Sequence, residues 1–159
     1  MNNVLRILEH DSRVSISQLA TMTGKSEAEV REFVEKAEKD GVIRRYKTVI
    51  DWEKAGVERV FAFIDVRVSP ARGVGFDDVA ERIYRFPEVH SVYLVSGTYD
   101  LRVVVEGETM KQVAFFVAEK LSTIDRVNST STHFLLKKYK EDSDIFEEPC
   151  EDHRLAISP

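Results

Sequence analysis

Ser15-Ile16-Ser17-Gln18-Leu19-Ala20-Thr21-Met22-Thr23-Gly24-Lys25-Ser26-Glu27-Ala28-Glu29-Val30 is the stretch that decides the N-terminal half of the fold. Ser15 to Gln18 and Ser26 to Glu29 are two capping boxes. In each, a serine hydroxyl accepts the amide three residues on, and the Gln or Glu side chain there accepts the serine's own amide. Between them Gly24 is free to take the positive φ that closes a short helix. After the second box Val30, Phe33, Val34 and Ala37 recur at i, i+3, i+4 and i+7, the stripe of an amphipathic helix, and Asp40-Gly41 ends it. Upstream, Val4, Leu5, Ile7 and Leu8 share one face of a short first helix. Two capped helices around a glycine turn make a helix-turn-helix pattern, although a generic three-helix core is punctuated in the same way.

Downstream, Val42 to Ile50 alternates apolar and polar residues as a strand does, with Arg44, Arg45 and Lys47 on its polar side. A strand directly after a recognition helix predicts a wing whose cations meet phosphates. The recognition helix turns Glu27, Arg31, Glu32, Glu35, Glu38 and Lys39 outward. Its predicted DNA-facing set is Lys25, Ser26, Glu27, Arg31 and Glu35, joined by Arg44, Arg45 and Lys47. A glutamate can read a cytosine amino group, but a row of glutamates repels phosphate, so one copy is expected to bind double-stranded DNA weakly and several copies together usefully.

Beyond Ile50 the pattern changes. Residues 51–57 read as a short structured connector, and residues 58–68 as a strand stopped by Ser69-Pro70. Phe76, Val79, Ala80 and Ile83 stripe a helix, and residues 89–95 and 99–105 are strands joined through Ser96-Gly97-Thr98. Met110, Val113, Ala114, Val117 and Leu121 stripe another helix. Residues 127–139 are the last strand, with Phe134, Leu135 and Leu136 as its buried stretch. The order βαββαβ predicts an α+β, ferredoxin-like domain over residues 58–140, after a winged helix-turn-helix over residues 1–50. Helices cover one sheet face; the other, expected to carry Val92, Leu94 and Val104, requires a second copy to cover it.

Charge locates the same boundaries. The 159 residues carry a net −5; from Glu141 onward seven acids oppose one arginine, so this acidic tail holds −6 and the remainder +1. Residues 1–53 contain nine Lys/Arg and ten Asp/Glu, close to neutral where a DNA binder is usually basic. The tail reads either as disordered or as docking Ile145-Phe146 and its terminal apolar residues on a neighbour. One cysteine, Cys150, leaves no intramolecular disulfide. No apolar run approaches the roughly 18 residues of a membrane span, and no signal pattern opens the chain, so a cytoplasmic protein is expected. His10, His90, His133 and His153 lack zinc-ligand spacing, and no P-loop, dinucleotide glycine pattern or Ser-His-acid arrangement occurs; no cofactor, metal site or catalysis is expected.

With these parts in order, residues 2–140 resemble the Lrp/AsnC, or feast/famine, family of transcription regulators. The helix-turn-helix ends in Gly41-Val42-Ile43 leading to Tyr46, a βαββαβ (RAM-type) domain follows, and Ser96-Gly97-Thr98-Tyr99-Asp100 looks like the family's Gly-x-x-Asp element. Thr130-Ser131-Thr132 is similar to a threonine-bearing stretch of family members. Where members often carry an arginine in the recognition helix, this chain has Phe33. The resemblance implies homodimers joined through the sheets, higher even-numbered oligomers, and a small-molecule effector, commonly an amino acid. Ser96, Gly97, Tyr99, Asp100, Thr130 and Thr132 would line its site. Read without the family, Gly97 and Asp100 equally suit a turn, and Tyr99, Thr130 and Thr132 an ordinary sheet. Two other functions remain open: a metabolite-binding oligomer with weakened DNA binding, and an enzyme like the sirohaem decarboxylases that look like this family, drawing on His90, Tyr93, Arg102 and His133.

Overall fold

The computed structural model describes residues 2–70, 73 and 75–146. Its chain divides into two compact units, one ending at Ile50 and one beginning at Asp51.

In the first unit α1 spans Asn2–His10, α2 Ile16–Thr23 and α3 Glu27–Lys39. Both capping boxes form: Ser15 and Gln18 bond reciprocally ahead of α2, and Ser26 and Glu29 ahead of α3. Gly24 takes φ +66° and the following amide, from Lys25, donates to the Ala20 carbonyl at 3.0 Å, so α2 stops and α3 starts within three residues. Val4, Leu19, Ala20, Val30 and Val34 form the core, with Ile7, Leu8, Val14, Ile16, Phe33 and Ile43 packed against it. Phe33 is therefore a core residue.

The expected wing strand does not form. Residues 42–50 carry no strand, because the unit is otherwise helical and offers no edge to pair with. The segment is instead pinned to the end of α3, where the Ile43 amide donates to the Ala37 carbonyl at 3.0 Å and the Tyr46 hydroxyl to Glu38 Oε1 at 2.7 Å.

The second unit opens with a turn in which Asp51 to Val57 bond among themselves and Arg59 lies 3.8 Å over the Trp52 ring. Then come β1 (Val60–Val68), α4 (Asp77–Tyr84), β2 (Val89–Leu94), β3 (Leu101–Gly107), α5 (Met110–Phe115) continuing as a π-helical turn (Phe116–Leu121), and β4 (Val127–Phe134). The sheet order β2-β3-β1-β4, antiparallel throughout, is the ferredoxin-like arrangement. Ala62, Ile64, Val66 and Val68 of β1 and Leu101, Val103 and Val105 of β3 face the helices and pack with Val79, Ile83, Val113, Phe116 and Leu121.

Three expectations need correction here. The π-helical turn spaces Phe116 and Leu121 five apart, which shifts the buried face, and Met110 and Ala114 are exposed. β4 ends at Phe134, since the Leu135 amide already meets Phe61 near the start of β1; Leu136 has nothing to pack on and is 85% exposed. Val92 packs on the helix-side core and Leu94, opposite Leu101, shares that side at the exposed end of β2, so the opposite face is carried by Val104 with Phe61, Phe63 and Tyr93. Past β4 the chain forms a small hairpin, β5 (Lys140–Glu141) and β6 (Asp144–Ile145), turning at Asp142 and Ser143, both with positive φ. Of the acidic tail, residues 147–159, with Cys150 and His153, lie outside the described residues.

Candidate functional site

On the first unit, α3 presents its charged face to solvent: Glu27, Arg31, Glu32, Glu35, Glu38 and Lys39 are all exposed. Arg44, Arg45 and Lys47 are exposed on the irregular segment that follows, and Lys25 is half-buried at the turn. Ser26 is committed to its own helix, its hydroxyl 2.7 Å from Glu29 Oε2 and its amide 3.0 Å from the same oxygen. These bonds hold the Glu29 carboxyl below its usual range, with Lys25 adding to the effect. The surface thus offers cations at the turn, on one helix position and on the trailing segment, interleaved with glutamates.

On the second unit, the open sheet face supports a pocket of about 620 Å³ lined by Asp65, Val95, Ser96, Gly97, Thr98, Tyr99 and Arg102. The β2–β3 ladder closes at Leu94↔Leu101, followed by the Val95 amide donating to the Asp100 carbonyl, so residues 96–99 form a loop beyond the last ladder bond. Gly97 sits at φ +145°, a conformation open to glycine and strained for other residues. Arg67 holds the loop from β1, its Nε and Nη2 donating to the Thr98 carbonyl at 3.3 and 2.9 Å and its guanidinium 5.7 Å from the Tyr99 ring centre.

The pocket floor is a cross-strand ion pair. Asp65 and Arg102 stand opposite one another in the β1–β3 register; Arg102 Nε donates to Asp65 Oδ1 at 2.8 Å and Nη2 to Oδ2 at 3.0 Å. Hydrogen bonding by Arg102 holds the Asp65 carboxyl below its ordinary range against the opposing effect of burial, and His133, 3.7 Å away, assists. Ser131 Oγ lies 3.2 Å from the same His133 nitrogen.

Of the six residues expected to contact an effector, the structure gathers Ser96, Gly97 and Tyr99 at the pocket. The Asp100 carboxylate points elsewhere: Oδ2 accepts the Val68 amide at 2.8 Å, while the Asp100 amide donates to the Val66 carbonyl. Thr130 and Thr132 pair with Val66 and Ile64 and so share the helix side of the sheet, where Thr130 Oγ1 lies 3.4 Å from Ser122 Oγ. Asp65 was not anticipated. Its one signal is a lone carboxylate in the apolar run Phe61-Ala62-Phe63-Ile64-Asp65-Val66.

Comparison with known proteins agrees with both units. The Lrp/AsnC ligand binding domain matches residues 61–145, and a winged helix-turn-helix DNA-binding domain matches residues 2–44. The HTH-type transcriptional regulator YugG of Bacillus subtilis is 54% identical over 157 residues, covering 98% of this chain and 95% of that protein. The HTH-type transcriptional regulator PH0140 of Pyrococcus horikoshii is 35% identical, covering 83% and 81%. Among solved structures, a feast or famine regulatory protein of M. tuberculosis complexed with L-methionine superposes with TM-score 0.73 at 26% identity, covering 89% of this chain and 92% of that one. A helix-turn-helix unit and a ligand-binding sheet domain in one chain, matched in both parts, place this protein in the Lrp/AsnC family of DNA-binding transcription regulators.

Proposed function

We propose that this regulator responds to a free amino acid, bound in the pocket between the 96–99 loop and the sheet. The observation that carries the reading is the pocket itself, where a glycine-containing loop faces a floor bearing both a carboxylate and a guanidinium. The related M. tuberculosis protein complexed with L-methionine supports it. Ser96, Gly97 and Tyr99 contact the ligand; Asp100 ties the loop base to β1, and Thr130 and Thr132 brace the same strand from its other edge. Phe63, Tyr93 and Val104 on the open face are covered by a second copy, giving a homodimer and then higher even-numbered oligomers. No helix among the described residues is long and apolar enough to cross a membrane, and the proposed setting is the cytoplasm.

DNA is gripped by Arg44, Arg45, Lys47, Lys25 and Arg31, with Glu27 and Glu35 facing base edges and Ser26 holding the helix start. The test of the effector is thermal melting of the protein with each protein L-amino acid in turn. A ligand that binds only the folded state raises Tm with its concentration. We expect one or a few related amino acids to do so; no shift with any of them contradicts the reading.

The glutamate row favours a second reading, in which the chain binds the metabolite and oligomerises but holds DNA poorly. On that reading Glu35→Lys creates salt-sensitive DNA affinity where the parent has none. Parent binding at low salt removes it.

A further inference from the structure

Resting on the amino-acid reading above, we propose that Asp65 and Arg102 are the head-group clamp of the pocket. Arg102 takes the α-carboxylate and Asp65 the α-ammonium. Asp65 is the one buried charged residue among the described residues, although it sits on the sheet face away from the main core. Arg102 opposite it is half exposed, and both side chains line the same pocket. The pair spends two of the guanidinium's five N–H bonds and one acceptor site on each carboxylate oxygen. Both groups therefore keep capacity for a further partner.

A zwitterionic α-amino acid is such a partner. Its ammonium and carboxylate are separated by a span close to that of the protein's own ion pair. Laid antiparallel beside Asp65 and Arg102, it completes a ring of four alternating charges, in which every neighbour attracts and each bond is charge-assisted. A ligand bearing a single charge would meet one member of the pair and leave the other with only its protein partner, its remaining capacity unused. Among the described residues the pocket lining contains no second cation to take over: the other guanidinium nearby, Arg67, is engaged with the Thr98 carbonyl and the Tyr99 ring. Above the clamp, the loop at Gly97 lets a ligand approach the backbone closely. Arg102 also holds Asp65 in its anionic form, the form that pairs an ammonium.

The test uses the full chain and calorimetry. The parent is titrated with each protein L-amino acid. The one bound most tightly is then compared with its α-carboxamide, which lacks the carboxylate charge, and with its des-amino acid, which lacks the ammonium. We expect Arg102→Gln to weaken the amino acid about tenfold or more and to level it with the carboxamide. Asp65→Asn should level the amino acid with the des-amino acid. A merely structural ion pair would lower affinity for all three probes together and leave the parent's preferences intact, which overturns the clamp. So does unchanged affinity in Arg102→Gln, the half-exposed position whose substitution is tolerated even if Asp65→Asn misfolds. Loss of binding accompanied by loss of the oligomer in sedimentation assigns the pair to subunit packing and overturns it as well. If the parent binds none of the amino acids, the amino-acid reading itself fails and the clamp with it; if parent affinity persists in both variants, the clamp alone fails.

Discussion

Asp100 spends its carboxylate on the Val68 amide and its own amide on the Val66 carbonyl, so its work is to fasten the base of the loop to β1. Asp100→Ala leaves the part-buried Val68 amide without that acceptor and is expected to cost about 1–3 kcal/mol in urea unfolding, whereas Asp100→Asn keeps an acceptor oxygen and should recover most of it. Equal stability of the two variants would show that the bond contributes nothing. Asp65 carries a second residue-level expectation. Its folded pKa is depressed, so its contribution is present above the unfolded value of about 4 and is lost as pH falls through the folded one. Urea midpoints compared at neutral pH and below pH ~3 should thus fall less in Asp65→Asn than in the parent. Neither pairing was legible in the sequence. Asp65 and Arg102 are 37 residues apart, and only the β1–β3 register sets them opposite each other. Asp100 reads as a turn residue or ligand contact until the Val68 amide is seen beside it.

Elements were legible where their chemistry is local. Ser15–Gln18 and Ser26–Glu29 satisfy their own helix ends whatever lies around them, which is why α2 and α3 start where the motifs require. Ser26→Ala should lower the unfolding free energy by about 1 kcal/mol, read from the thermal transition, and no change would mean that α3 is held by packing alone. Elements that depend on a distant partner were not legible. Val42 to Ile50 has a strand's alternation but no strand beside it, and β4 stops where β1 runs out. The shifted phase of the last helix was hidden because a π-helical turn has no pattern of its own in the sequence. The entry to that helix is tight: a Cβ on Gly107 would lie 2.9 Å from Val113 Cγ2. Gly107→Ala is accordingly expected to cost about 1–3 kcal/mol, checked by urea midpoint, while an unchanged midpoint would mean that Val113 moves aside freely.

At the scale of the molecule, the near-neutral charge of the N-terminal segment bears on how tightly a single unit can hold DNA. Each phosphate that a cation neutralises releases counterions, so affinity falls with salt in proportion to the phosphates engaged. Replacing Arg44 or Arg45 with alanine should lower the slope of log affinity against log salt by about one for each phosphate no longer neutralised, multiplied over the copies bound. On the proposed reading, the open sheet face brings those copies together, and the pocket on that face is where an amino acid alters the assembly. The most direct measurement is fluorescence anisotropy of labelled DNA from upstream of the protein's own gene, titrated with the full chain across a range of salt, with and without the amino acid that raises its Tm. The account predicts binding that weakens steeply with salt and shifts in affinity or stoichiometry when the amino acid is added. Absence of binding at low salt, or binding that ignores every amino acid, would contradict it.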